Sequence, residues 1–515
     1  MTSQATGDSL GRRYLSKLFS NVATIPLFFV LEAVLPRALG PAAYGNYNFS
    51  TTLFLNFTNF LDMGTSTCLN TALAKRPGEF GLAAFYLRVA CFMLFLCLLA
   101  GGALSAPGAG DLLMPGVPLW MALPAALWAY LTWAGRVARG MNDALGITTR
   151  SELVRVGVNL FSALALLALY AGGVLTLPVL FGHQYVTLAL LAGGFLLILR
   201  GAWSHGGSPR SWRLSRAQRA AYSGEFRRYS LPLFVTALCS AAALSAERWL
   251  LQFFSGSVEQ GYFSLAQKIG IACFLFVTAM TPLLMRELAV AHGRNDRAAM
   301  GRLLDRYAPM VYAVSAWLSC FALAEAPAIL RLFGGAEFSG ALVTVQIMAL
   351  YPMHQGYGQI AGAVFYATGE TRRLRNISLV TLVLGLAAAW AMLAPRALGG
   401  LDMGAEGLAW KMLLVQILGV NLLLFLCRGA APFKYLRNLA HQIVCPALLV
   451  LAALATRYGT EYGNIGGADS LPRFFLSGVL YCGLTLFLAC GFPFALGLRR
   501  GELAAQWSRL RQFIA

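Results

Sequence analysis

Charge is the first thing this 515-residue sequence lacks: only 12% of its residues are charged. A water-soluble globular protein carries roughly 25%, so there is too little polar surface here to coat a soluble particle. Acidic residues are the scarcer kind, 21 against 40 Lys and Arg, which leaves a formal net charge of +19. None of the 10 cysteines forms a C-x-x-C, and all but Cys427 lie within apolar runs. They are expected as small buried hydrophobes, with no disulfide framework, metal site or cofactor implied. The apolar runs lack the alternation of a membrane barrel, which leaves helices as the way to satisfy the backbone in lipid. Arg12, Arg13 and Lys17 precede an apolar run longer than a signal-peptide core, and no A-x-A follows it. That first segment is therefore expected to stay as a helix.

What is present is apolar: 58% of residues are hydrophobic, and the mean hydropathy is +0.65. At about 20 residues per membrane crossing, fourteen spans are predicted: 18–35, 47–72, 82–105, 117–135, 156–173, 178–199, 229–251, 262–285, 308–330, 341–367, 376–394, 405–426, 438–456 and 472–493. The fifth and sixth are split only by Gly172, Gly173 and Pro178. The charge pattern tests this count. Basic residues concentrate in alternate connections, from Arg12, Arg13 and Lys17 through Arg136, Arg139, Arg150 and Arg155 to Arg499, Arg500, Arg509 and Arg511. The other connections hold only Arg37, Arg331, Arg396, Arg457 and Arg473. By the positive-inside rule both termini are cytoplasmic. Spread over eight inner segments, without interleaved stacking aromatics, these cations also exclude a nucleic-acid groove.

The longest polar stretch, 200–228, divides the chain into six spans and eight. Its second half, Trp212 to Arg228, is either a basic amphipathic helix on the anionic inner leaflet or an irregular basic loop. The two halves echo each other. Gly40-Pro41-Ala42-Ala43-Tyr44-Gly45 follows the first span, and Gly256-Ser257-Val258-Glu259-Gln260-Gly261 follows the seventh. Glycine there supports a tight turn or a positive φ. The predicted fold class is an all-α polytopic membrane protein with about 14 transmembrane helices, arranged as two parallel six-helix lobes and two added C-terminal helices. The domains are then an N-lobe at 1–199, a basic linker at 200–228, a C-lobe at 229–427, and a last pair of spans with a cytoplasmic tail at 428–515.

Several ordered segments over roughly 12–430 resemble a known family. Arg37 to Gly45 with Leu61-Asp62-Met63-Gly64, then Glu247-Arg248-Trp249-Leu250-Leu251 with Gly261-Tyr262-Phe263-Ser264-Leu265-Ala266, are similar to motifs of polysaccharide flippases. So are Pro282 to Asp296, Ala326-Pro327-Ala328-Ile329-Leu330 with Phe333-Gly334 and Phe338, and Ala367-Thr368-Gly369-Glu370-Thr371. These flippases belong to the multidrug/oligosaccharidyl-lipid/polysaccharide exporter superfamily. The family usually has Asp where this chain has Glu247, and the last two spans carry no recognised motif. The resemblance implies a transporter, not an enzyme, that moves an undecaprenyl-pyrophosphate-linked oligosaccharide across a bacterial inner membrane for surface polysaccharide synthesis, such as O-antigen or exopolysaccharide. A polysaccharide polymerase or chain-length regulator is the further partner it implies. A sugar-phosphate head group cannot cross hydrocarbon unaided, and a cavity between two lobes that opens alternately to each side would carry it.

Ionisable groups inside spans are functional candidates. Arg248, Lys268 and Lys411 fall within spans, toward their outer ends, and suit a pyrophosphate; local pairing or snorkelling is the structural alternative. Arg88, near the inner end of the third span, is a further candidate. Glu32, Asp62 and Glu247 are candidate coupling carboxylates, because a buried carboxyl can take up a proton near neutral pH; Glu325 is a fourth intramembrane acid. Asn56, Asn59, His354, Gln355 and Gln359 suit sugar hydroxyls, with inter-helix hydrogen bonding as the alternative. Three other functions stay open: a cation-coupled drug exporter, a peptidoglycan-precursor flippase, and an enzyme acting on the same lipid. The short outer connections, without a paired acid and base or a metal cluster, weigh against the enzyme.

Overall fold

The computed structural model describes residues 10–204, 214–273, 280–463 and 470–498. Among the described residues every regular element is helical and none is a strand. The chain forms two compact units, Met1–Gly261 and Tyr262–Ala515. The first contains α1 (Leu10–Asp62), α2 (Thr65–Lys75), α3 (Phe80–Leu104), α4 (Ala109–Leu113), α5 (Ala122–Ala144), α6 (Thr148–Ala171), α7 (Leu177–Ser204) and most of α8 (Arg216–Ala272). The second continues from the end of α8 through α9 (Met280–Gly293), α10 (Arg297–Ala324), α11 (Ala326–Gly334), α12 (Leu342–Ala367), α13 (Thr371–Leu393), α14 (Gly404–Cys427), α15 (Tyr435–Tyr462) and α16 (Leu471–Gly491).

The described part of each of the fourteen predicted spans falls mainly on helix. Among the described residues nine helices are long and apolar enough to cross a membrane: α1, α3, α6, α7, α10, α13, α14, α15 and α16. The protein is thus a multi-pass membrane protein. Gly172 and Gly173 do divide the fifth and sixth spans, since α6 ends at Ala171 and α7 begins at Leu177. The second predicted span is interrupted at Met63 and Gly64, both at positive φ, where α1 passes to α2. The seventh, 229–251, lies in the first unit. Within the eighth, 262–285, residues 274–279 lie outside the described part.

The basic linker is described from residue 214 on, and Arg216 begins a helix that continues into the seventh span. Its apolar side faces protein: Leu214, Tyr222 and Phe226 are buried with Phe80, Tyr86 and Trp133, while Arg216, Arg219, Arg227 and Arg228 are exposed. Two polar contacts tie it to the α2–α3 connection, Tyr222 to Glu79 Oε1 at 2.5 Å and Arg76 to both Glu225 oxygens at 2.7 and 2.9 Å. Burial, with the bond to Glu79, pushes the Tyr222 hydroxyl up to about 12. The hydrogen bond to Glu225 raises the Arg76 guanidinium. The basic tail from Arg499 lies outside the described residues.

Candidate functional site

A straight helix the length of α1, 53 residues, would run about 80 Å, more than twice the roughly 30 Å of membrane hydrocarbon. Gly40 interrupts it at φ 71°, ψ 170°, backbone available essentially only to glycine. The Tyr44 hydroxyl donates to Glu32 Oε2 at 3.2 Å. Twelve residues of unbroken helix would separate those side chains by about 18 Å, so the chain doubles back at Gly40. Gly256 interrupts α8 with the same conformation, φ 81°, ψ −173°. The two turns meet within the first unit: a Cβ on Gly45 would lie 1.9 Å from the Ser257 carbonyl oxygen, and one on Gly261 would lie 2.2 Å from that of Pro41. Gly45 and Gly261 each stand five residues after their turn glycine, and Pro41 and Ser257 one residue after it. The contact is therefore reciprocal.

Polar side chains reinforce this crossing. Ser257 Oγ donates to Asn46 Oδ1 at 2.6 Å, and Gln252 Nε2 donates to Ser257 Oγ at 2.9 Å and to the Pro115 carbonyl at 3.0 Å. Trp249 Nε1 donates to the Leu112 carbonyl at 2.9 Å. Glu32, Tyr44, Tyr47 and Asn48 are all buried around the first turn. Arg248, eight residues before Gly256 as Glu32 is eight before Gly40, is partly exposed and interacts electrostatically with Glu247 and Tyr44. The structure thus brings two sequence-predicted residues, Glu32 and Arg248, to the surroundings of one tyrosine.

The other predicted residues are dispersed. Lys411 is buried on α14 and Lys268 half-buried on the last part of α8, both in the second unit. Arg88 is exposed on α3, and Glu247 is half-buried. Asp62 is surrounded by hydrogen-bond donors. Its Oδ1 accepts from Thr65 Oγ1, the Ser66 amide, Tyr86 and Trp133 Nε1 at 3.0–3.3 Å, and its Oδ2 from Ser66 Oγ at 2.7 Å. These donors hold the carboxylate over the start of α2 and brace the break at Met63–Gly64. Asn56 donates to Ser245 Oγ at 3.2 Å, and Asn59, exposed, accepts from Arg136 at 2.8 Å. Gln359 accepts from Thr281 at 2.7 Å, and Gln355 is half-buried. His354 is buried on α12, its ring 5.6 Å from Tyr312, which also contacts His441 at 5.7 Å and Tyr357 at 4.7 Å. His354 is thus packed inside the second unit.

Two ionic clusters join residues that the sequence alone does not connect. Buried Glu152, in the first turns of α6, takes Arg139 at 2.5 Å and Arg155 at 2.8 Å, and Arg155 also bonds Ser20 and Asn21 on α1. The one local sign of it is the three-residue spacing of Glu152 and Arg155, which places them on one helix face. At the other cluster, Arg473 on α16 forks onto Glu325 at 2.6 and 3.3 Å, with Ser477 donating at 2.8 Å. Both charged residues are fully buried. Arg457 on α15 bonds Glu461 at 2.9 Å and the Ala324 carbonyl. The last two spans are thereby pinned to the junction of α10 and α11. Among the described residues no group of His, Cys, Asp and Glu is arranged to hold a metal ion.

Several solved structures share this helical arrangement. The lipid II flippase MurJ, in an inward closed conformation, superposes with a TM-score of 0.65 at 12% identity, over 93% of this chain and 98% of that one. A multidrug resistance MATE family transporter in an inward-facing conformation gives 0.54 at 16% identity, over 78% and 97%. A MOP superfamily transporter from Pyrococcus furiosus gives 0.50 at 15%, over 81% and 92%. The fold is that of this superfamily. Residues 10–283 match the family described as polysaccharide biosynthesis protein, and the chain belongs to that family. No curated protein matches the sequence.

Proposed function

We propose that the protein is a flippase that moves a lipid-linked oligosaccharide, carried on undecaprenyl pyrophosphate, from the inner to the outer leaflet of a bacterial inner membrane. The observation that carries this reading is the family match over residues 10–283 on a fold shared with a lipid flippase along 93% of the chain. Both termini face the cytoplasm in this reading, in keeping with the concentration of basic residues in alternate connections. Of the cations within spans, Arg248, Lys268 and Lys411 are each a candidate contact for the pyrophosphate, Arg offering a fork and Lys a point charge. Glu32 is the coupling carboxylate that best fits, being buried and hydrogen-bonded by the Tyr44 hydroxyl, whereas Asp62 is committed to bracing α2. Two second readings follow from the same fold: a peptidoglycan-precursor flippase, favoured by the likeness to MurJ, and a cation-coupled small-molecule exporter, favoured by the likeness to a MATE transporter.

The test uses the purified protein in liposomes loaded with fluorescent undecaprenyl-pyrophosphate oligosaccharide, reading how much lipid becomes accessible across the bilayer. Protein-dependent translocation is expected. Arg248→Ala, Lys268→Ala and Lys411→Ala should each slow it about tenfold or more, the worth of a charge-assisted hydrogen bond. Translocation that survives all three substitutions removes these cations from the site. Movement of lipid II alone, or of a small cation alone, moves the function to one of the second readings.

A further inference from the structure

At the connection between α14 and α15, which introduces the last two spans, lies a cavity of about 560 Å³ lined by Asp305, Phe425, Arg428, Phe433 and Lys434. One of its two cations is held in place. The Arg428 guanidinium sits 5.5 Å from the Phe425 ring centre and 5.9 Å from that of Tyr435, so two ring faces orient it. The connection itself is fixed. Ala431 is fully buried, its amide donates to the Cys427 carbonyl at 2.9 Å, and Gly301 of α10 approaches so closely that a Cβ there would lie 1.8 Å from the Pro432 carbonyl oxygen. The Asp305 carboxylate is already taken, accepting from the Lys434 amide at 2.9 Å and pairing with Arg437 at 3.2 Å. Among the described residues neither the Arg428 guanidinium nor the Lys434 ammonium has an acidic partner.

An oriented guanidinium and a nearby ammonium without a counter-ion ask for an anion, and the adjoining surface says which kind. Leu418, Leu422 and Phe425 are exposed at i, i+4 and i+7 along α14, and Leu436 and Ile443 are exposed at i and i+7 along α15. Each set lines one helix face. An apolar stripe therefore leads away from the cations along the direction an acyl chain would take. By the charge pattern of the sequence, Arg428, Lys434 and Arg437 belong to an inner connection.

We propose that this cavity is a binding site for the phosphodiester head group of an anionic phospholipid of the inner leaflet, with Arg428 and Lys434 on the phosphate and the acyl chains along the α14 and α15 stripes. The site is independent of the transported substrate. Occupied, it would tie the last two spans to the lipid at the end where α14 passes to α15.

The full chain, purified in a neutral detergent, is titrated with phosphatidylglycerol, phosphatidylcholine and soluble glycerol phosphate, and retained lipid is counted by native mass spectrometry. One phosphatidylglycerol should be held in preference to phosphatidylcholine. With each basic residue near a membrane surface contributing as it usually does, Arg428→Gln or Lys434→Gln should weaken retention about fivefold. Both side chains are exposed, so melting temperatures of these variants should match the parent. Phe425→Leu with Tyr435→Leu, which keeps the charges and removes the rings, should weaken it as well. Equal retention of the two lipids, unchanged retention in the charge variants, or unchanged retention in the ring variant overturns the proposal. Displacement by glycerol phosphate at the concentration at which phosphatidylglycerol itself competes would assign the cavity to free phosphate and overturn the lipid.

Discussion

The turns at Gly40 and Gly256 are the same backbone device with opposite chemistry around it. Both glycines take a positive φ with extended ψ, and both are followed five residues later by a glycine pressed against the other turn's carbonyl. Eight residues before the turn, however, one repeat carries Glu32 and the other Arg248. Four residues after it stand Tyr44 and Gln260, both fully buried. The close approach leaves no room for a Cβ on either side, and the two turns share one backbone conformation. The side chains flanking the turns are free to diverge, and here they have acquired charges of opposite sign. A backbone motif fixes where a function can sit; the residues that differ between its copies are the ones to suspect of carrying it.

The largest expected effect breaks the shared part. Gly45→Ala or Gly261→Ala drives a methyl into a carbonyl oxygen of the opposing turn, and overpacking of this kind costs about 3 kcal/mol. Thermal melting of the purified variants reads it, with Gly78→Ala, which has nothing within 4 Å of the added Cβ, as the neutral control. Equal melting of Gly45→Ala and the control would contradict the close crossing. Gly40→Ala and Gly256→Ala come next. Each forces a side chain into a backbone region that L residues avoid, at about 1–3 kcal/mol, and the two losses should be similar because the two conformations are. A large loss at one glycine and none at the other would mean that the repeat does not extend to the backbone.

The helices were legible in the sequence because nothing but a helix satisfies the backbone along an apolar run in lipid. Gly172 and Gly173 marked a true boundary for the same reason that Gly40 did. Less was legible where structure depends on partners distant in the chain. Glu325 and Arg473 are each visible as a charge near a span end, yet nothing in local spacing joins residues 148 apart. Asp62 illustrates the converse. An acid inside an apolar run is a functional candidate by default, but Thr65, Ser66, Tyr86 and Trp133 supply its donors, the last two from helices distant in the chain. His354 likewise carried a polar signal, and the Tyr312 ring beside it lies 42 residues away in the chain. The linker was ambiguous because Arg216, Arg219, Arg227 and Arg228 suit either a helix or a loop; the burial of Tyr222 and Phe226, spaced one turn apart, decided it.

The smallest effect sharpens the comparison. Ser257 joins Asn46 and Gln252 through one hydroxyl, and the positions related to Ser257 and Asn46 by the repeat are Pro41 and Tyr262. Proline has no side-chain hydrogen bond to give, so the latch exists on one side only. Ser257→Ala should therefore cost about 1 kcal/mol, the net worth of a hydrogen bond exchanged against water, well below the loss from Gly45→Ala in the same melting experiment. The order of these two losses tells what holds the crossing together. If the glycine substitution costs more, close backbone approach holds the turns and the hydroxyl only trims their register. If Ser257→Ala costs as much, the crossing depends on a polar contact that only one repeat possesses, and the symmetry of the two turns is one of shape without a matching symmetry of energy.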